Sequence, residues 1–247
     1  MTMTARKSAR PTADLAAHID ALDWPQIISE LDTQGCAVLK GLLTPEQCRT
    51  IAALYPDDAG FRSRIVMGRH GFGRGEYKYF SYPLPDLIAQ LRPSLYAHLQ
   101  GVANRWNEAM GIDIRSPAEH TTFLERCHEA GQPRPTPLLL QYEAGDFNCL
   151  HQDLYGEHVF PLQVAILLSE PGRDFTGGEF VLTEQRPRMQ SRAEVVSLSL
   201  GEAVIFAVNQ RPVAGTRGSY RVTMRHGVSR VRSGRRHTLG IIFHDAR

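Results

Sequence analysis

Apolar residues in the first part of the chain recur at helical intervals. Trp24, Ile27, Ile28 and Leu31 fall three and four residues apart and predict a helix. Thr44-Pro45 opens a second one through Cys48, Ile51 and Leu54, with Thr44 as its N-cap. Residues 84–110 predict one or two helices interrupted near Pro93, and Ser116-Pro117 starts another that Gly131 ends. Between the first two helices, residues 36–39 are short and apolar enough for a strand. Beyond residue 135 the pattern changes to short β segments, expected at 138–142, 160–168, 179–182, 194–200, 203–208 and 238–243. Turns such as Pro171-Gly172, Gly177-Gly178 and Gly201-Glu202 separate them. Strands at this spacing without intervening helices predict an antiparallel sandwich or barrel. The expectation is therefore one structural domain of α+β class with a mainly β core. Residues 1–12 form a disordered basic tail, 13–134 a helical flank and substrate lid, and 135–247 the β core.

Composition narrows the class. The 247 residues are 42% hydrophobic with a net charge of +2, as expected of a globular protein with a substantial core. No apolar run approaches the roughly 20 residues of a membrane span, and no apolar stretch follows Arg6, Lys7 and Arg10 as a secretory signal would require. A cytoplasmic protein without membrane contact or an obligate protein partner is expected. Cys36, Cys48, Cys127 and Cys149 are widely spaced and read as reduced, buried thiols. The +2 sums two unlike parts: residues 1–172 carry 15 bases against 20 acids, whereas Arg173 to Arg236 include 12 arginines against five acids. Arginine suits bidentate contacts to phosphate and carboxylate, although the same residues could pair with Glu179, Glu184 or Glu202.

His-x-Asp occurs twice, at His18 and at His151. In an extended segment residues i and i+2 share a face, so His151 and Asp153 can hold one metal ion. The helical context of His18 turns Asp20 away from it. Two such donors leave a catalytic site incomplete, and two histidines with one carboxylate suit a non-haem iron site with open positions. His226, His237 and His244 are the downstream choices for the third donor. Arg236, ten residues after His226, has the N–H fork that a dicarboxylate co-substrate requires.

Several motifs carry a resemblance. Tyr142 with Gly145-Asp146, His151-x-Asp153, Gly177-Gly178-Glu179-Phe180, the segment from Gly201 to Phe206, His226-Gly-Val and Gly234-x-Arg236-x-Thr238 occur in this order. Together they resemble the Fe(II)/2-oxoglutarate-dependent oxygenase superfamily. The resemblance implies a double-stranded β-helix, a cupin-like jelly roll, over residues 135–247, flanked by N-terminal helices. It makes His151, Asp153 and His226 the catalytic iron ligands and Arg236 the partner of the 2-oxoglutarate distal carboxylate. Tyr142 and Thr238 become hydroxyl donors to the same co-substrate. The implied cofactor set is Fe(II), 2-oxoglutarate and O2.

More narrowly, Ala130-Gly-Gln-x-Arg-Pro-Thr-Pro, Cys149-Leu-His-Gln-Asp-Leu-Tyr-Gly, Gln185-Arg-Pro-Arg-x-Gln-Ser-Arg and Arg225-His-Gly-Val-Ser-Arg resemble a bacterial oxygenase family described as acting on alkylation-damaged DNA. That implies DNA repair by oxidative demethylation of nucleobases in single-stranded or duplex DNA. The opening segment from Gly35 to Leu43 has instead the flavour of prolyl hydroxylases, which implies a protein side chain or small molecule as substrate. A cupin-like binding protein without redox chemistry is the third possibility. For DNA contact, Arg74, Tyr77 and Tyr79 in the Gly-, Arg- and Tyr-rich segment 69–82 are the expected residues. Arg188 joins them from the strip of Arg186, Arg188, Arg192, Arg211, Arg217 and Arg221. The same 69–82 segment also reads as a flexible lid.

Overall fold

The computed structural model describes residues 12–153, 156–216 and 218–247. The basic tail expected over 1–12 lies almost wholly outside these residues, as does Arg217.

Five helices precede most of the strands: α1 (Thr12–Asp20), α2 (Trp24–Gln34), α3 (Pro45–Ala52), α4 (Asp86–Ala109) and α5 (His120–Glu129). Thr44 caps α3 through a capping box, accepting from the Gln47 amide while the Gln47 side chain accepts from the Thr44 amide. The 84–110 region is one helix, not two. Pro93 lies inside it, and a buried stripe that includes Ile88, Leu91, Leu95, Leu99, Val102 and Trp106 compensates for the missing hydrogen bond. Among the described residues no helix is long and apolar enough to cross a membrane.

The strands are β1 (Cys36–Leu39), β2 (Phe61–Val66), β3 (Gly73–Arg74), β4 (Glu76–Phe80), β5 (Leu138–Glu143), β6 (Phe147–His151) and β7 (Leu162–Leu167). They continue as β8 (Phe175–Gly177), β9 (Phe180–Gln185), β10 (Arg192–Val196), β11 (Ala203–Ala207), β12 (Gln210–Gly215), β13 (Gly218–Val228) and β14 (Val231–Ile241). They form two antiparallel sheets. The larger runs β1-β11-β7-β14-β5-β4-β2, with β8 on β14; the smaller runs β10-β9-β13-β6-β3, with β12 on β13. This is the jelly-roll double-stranded β-helix, α+β in class with a mainly β core.

The larger sheet is covered on both faces. Leu139, Val164, Ile166, Ile205 and Leu239 pack with the helices, while Tyr142, Leu167, Val204 and Phe206 face the interior shared with the smaller sheet. Burial on two sides explains why β7 and β11 are near-continuous apolar runs.

Three expectations are corrected. Residues 61–80 supply β2, β3 and β4, and β4 pairs with β5, so the sheet continues across the boundary expected at residue 135. Half of the 69–82 segment is therefore strand, tied into the two sheets and not a free lid. Within β4, Lys78 is buried: its Nζ donates to the Tyr55 carbonyl at 2.7 Å and to Asp58 at 2.5 Å. The cysteine expectation also fails at one position, since Cys149 is exposed while the other three are buried.

Candidate active site

Between the sheets, β6 and β13 lie side by side with His151 opposite His226 in register. Their rings stand 4.2 Å apart between centroids. Asp153, just past the end of β6, turns its carboxylate to both: His151 Nε2 is 3.6 Å from Oδ1 and His226 Nε2 is 3.5 Å from Oδ2. One donor atom from each of the three lies within 4.8 Å of the others. Gly227 permits this approach, because a Cβ there would stand 2.7 Å from the Asn148 carbonyl oxygen, and the ladder shifts register at the same point.

The imidazoles are oriented by their surroundings. His151 Nδ1–H donates to the Cys149 carbonyl at 2.8 Å, which leaves Nε2 with its lone pair toward Asp153. The His226 ring packs on Phe206 at 4.6 Å. Burial, and then the neighbouring His226, push the His151 pKa down, favouring the neutral ring. Burial alone would raise the Asp153 pKa, but His226 and His151 outweigh it and hold the carboxyl at about 2. A carboxylate and two imidazole nitrogens on one side of a cavity fit a non-haem iron(II) ion.

The cavity next to them, of about 140 Å³, is lined by Tyr142, Gln163, Phe206, Arg236 and Thr238 as well as the three donors. Arg236 is buried on β14 opposite Tyr142 of β5, and its Nη1 donates to the Thr238 hydroxyl. No carboxylate pairs with it among the described residues, and burial lowers its pKa to about 10. Gly178 makes room for its stem, since a Cβ there would stand 3.0 Å from Arg236 Cδ.

Five buried side-chain polar atoms lack a hydrogen-bond partner among the described residues, and four of them belong to this cavity's lining: Tyr142 Oη, Gln163 Nε2, His226 Nδ1 and Arg236 Nε. Orphaned polar groups of this kind are costly and mark a place built for a ligand. The guanidinium and the phenol fit the far carboxylate of a small dicarboxylate.

A larger cleft of about 760 Å³ opens outward and shares Phe72, Tyr77, Tyr79, Asp153, Gln163 and Ile242 with the inner cavity. His70 and Phe72 stack at its rim, Tyr77 and Tyr79 meet edge to face, and Arg62 lies 4.4 Å over the Tyr79 ring.

Of the residues expected at the site, His151, Asp153, His226, Tyr142, Arg236, Thr238, Tyr77 and Tyr79 all line the inner cavity. Arg74 and Arg188 line neither space. Arg74 is exposed and 3.4 Å from Asp146; Arg188 sits in the exposed turn between β9 and β10 with φ 63°. Part of the arginine strip is engaged within the fold, because Arg186, Arg192 and Arg211 converge on the single carboxylate of Glu184 and Arg221 donates to the Met110 carbonyl, while the strip keeps a net positive charge. His237 bonds Gln141 on another face, and His244 is buried at the outer cleft, so neither joins the triad. Gln163 and Phe72 were not expected. A lone glutamine inside the apolar run Leu-Gln-Val-Ala-Ile-Leu was the available signal for Gln163.

Fold and site together define an Fe(II)- and 2-oxoglutarate-dependent oxygenase, an enzyme that uses O2 as its oxidant. Residues 75–246 match the family described as oxygenases catalysing oxidative methylation of damaged DNA, and the chain belongs to that family. Two uncharacterized proteins from two strains of Mycobacterium tuberculosis are each 46% identical over 182 residues, spanning 72% of this chain and 78% of the relative. The fold is shared with a Pseudomonas putida prolyl-4-hydroxylase (TM-score 0.53, 14% identity, 91% of this chain and 99% of that one). It is also shared with a Trichoplax adhaerens prolyl hydroxylase solved with a peptide fragment (TM-score 0.59, 12% identity, 95% and 93%).

Proposed function

We propose that this oxygenase removes N-alkyl groups from damaged bases of DNA, with His151, Asp153 and His226 holding the iron. Bound iron supplies the oxidising chemistry, coupling decarboxylation of 2-oxoglutarate to succinate with hydroxylation of a substrate C–H bond. Arg236 anchors the distal carboxylate of the co-substrate, and Tyr142 and Thr238 add hydroxyl contacts. An ionised Asp153 and a neutral His151 are the forms in which each offers a lone pair to a cation. Phe206, Phe180 and Val228 wall the cavity and keep water from it. When the oxidised carbon is an N-methyl group, its N-hydroxymethyl product loses formaldehyde and the base is restored.

The observation that carries the substrate class is the outer cleft. Its four rings, His70, Phe72, Tyr77 and Tyr79, with Arg62 beside them, line the way from the surface to the triad. Flat aromatic surfaces beside a cation suit a base taken out of its stack, and the family's description names damaged DNA. A single-stranded oligonucleotide carrying one N-methylated base, incubated with Fe(II), 2-oxoglutarate and O2, should lose the methyl group by mass and release formaldehyde. An unchanged mass across the common N-methyl lesions would sink the substrate assignment.

Hydroxylation of a protein side chain is the second reading, favoured by the shared fold with prolyl hydroxylases. Substrate affinity separates the two, since binding through phosphates weakens steeply as salt rises, whereas a short neutral peptide would bind with little dependence on it.

A further inference from the structure

We infer that Gln163 selects the lesion, admitting N-methylated bases in which a carbonyl group flanks the methylated nitrogen. The inference rests on the demethylase reading above and names the substrate within it. Gln163 lies on β7, where residues alternate between the helix-side core and the interior. Val164 and Ile166 pack with the helices, while Gln163, Ala165 and Leu167 share the interior face. Among those three, Gln163 alone is polar. It pairs in register with Phe206, whose ring packs on His226, so the amide is fixed close to the triad.

Its side chain is about 95% buried, yet Nε2 makes no hydrogen bond among the described residues. The amide N–H is also directed toward the Asp153 carboxylate and helps to hold it ionised, at a geometry short of a full hydrogen bond. It also lines both the inner cavity and the outer cleft, at the passage a substrate must cross to reach the triad. A donor held in a dry passage rejects groups that leave it unpaired and favours groups that accept from it.

Base chemistry then makes the choice. The carbon to be oxidised must sit at the triad, so the atoms flanking the methylated nitrogen come nearest to Gln163. In 3-methylthymine that nitrogen lies between two carbonyl acceptors. In 1-methyladenine it lies between a C–H and an exocyclic amine, neither of which accepts from an amide N–H.

The experiment compares the wild-type chain with Gln163→Leu, which keeps the volume and the apolar setting of β7. Two single-stranded oligonucleotides, identical except for one 3-methylthymine or one 1-methyladenine, are titrated by fluorescence anisotropy into protein loaded with Mn(II) and 2-oxoglutarate. Binding of Mn(II) and of 2-oxoglutarate is followed by calorimetry in parallel. The wild type should prefer 3-methylthymine roughly tenfold, the worth of one hydrogen bond in a dry site. Gln163→Leu should abolish the preference by weakening 3-methylthymine binding alone, with Mn(II) and 2-oxoglutarate affinities unchanged. An equal preference in both proteins would overturn the role of Gln163, as would weakened Mn(II) binding in the variant, which would make the amide a support for Asp153. Binding of neither oligonucleotide by the wild type would overturn the DNA reading itself, and the inference with it.

Discussion

Replacing Arg236 with methionine should weaken 2-oxoglutarate binding and stabilise the free protein at once. The guanidinium is buried, carries no ion pair among the described residues, and donates only to Thr238. Burial takes its pKa from 12.5 to about 10, a displacement equivalent to about 3 kcal/mol. The sign follows from linkage. The unfolded chain holds that proton more tightly than the folded one, so near neutral pH, with the group charged in both states, folding carries the whole cost. Methionine keeps the buried stem and removes the charge, at the loss of the Thr238 hydrogen bond, worth about 1 kcal/mol. The free variant should therefore gain about 2 kcal/mol, or several degrees in Tm for a chain of this size.

The co-substrate responds in the opposite sense. Losing one partner of a buried, hydrogen-bonded charge pair costs roughly 2–5 kcal/mol, which raises KM for 2-oxoglutarate on the order of a hundredfold or more. Succinate formation against 2-oxoglutarate concentration measures the second effect, and thermal melts with and without Mn(II) and 2-oxoglutarate measure the first. Addition of 2-oxoglutarate should raise the wild-type Tm and leave the variant's unmoved. A variant that melts as low as a core truncation while keeping its 2-oxoglutarate affinity would refute the reasoning.

Other outcomes follow from the same geometry. His226→Ala should abolish Fe(II)-dependent 2-oxoglutarate turnover while His244→Ala retains it, and equal loss in both would exclude His226 as the third ligand. Gly227→Ala, which forces a Cβ to 2.7 Å from the Asn148 oxygen, should weaken Mn(II) binding at least about tenfold and cost roughly 1–3 kcal/mol of stability, read by calorimetry and urea melts. Burial, aided by the charge on Arg92, lowers the pKa values of His120 and His244 from 6.5 to about 4. The unfolded chain then takes up protons first as pH drops, so stability should be full above about 6.5 and fall toward 4, by up to about 3 kcal/mol per histidine. Urea midpoints across that range should show the slope, and His120→Gln should reduce it; a flat profile would contradict the assignment. Arg188→Ala should leave DNA affinity unchanged in an anisotropy titration, because its turn lies away from both cavities.

Much of the site was legible because its spacing is local. His151 and Asp153 are two residues apart at the end of a strand. His18 sits in α1 and bonds the Gly41 carbonyl, while Asp20 turns away to His98. The apolar stripe of α2 and the Thr44 cap announce their helices equally directly. Other features depend on partners distant in sequence. The strand β13 alternates inward Val222, Met224 and His226 with outward polar residues, and without its neighbours β6 and β9 that pattern reads as a polar loop. β4 is disguised by Lys78, whose burial depends on Asp58 and the Tyr55 carbonyl. Arg211 reads as a surface cation of the strip only until Glu184, 27 residues away in sequence, is seen buried against it. Gln163 acquires meaning only when the sheet shows which face of β7 it shares.

The most direct test of the central claim is to follow isotopically labelled O2 in reactions of the wild-type chain and of Asp153→Ala with Fe(II), 2-oxoglutarate and N-methylated single-stranded DNA. If the triad holds the iron and Arg236 the co-substrate, wild-type succinate should carry one labelled oxygen atom, with formaldehyde released alongside it, and the variant should form neither. Unlabelled succinate from the wild type, or equal labelling by both proteins, would contradict the account.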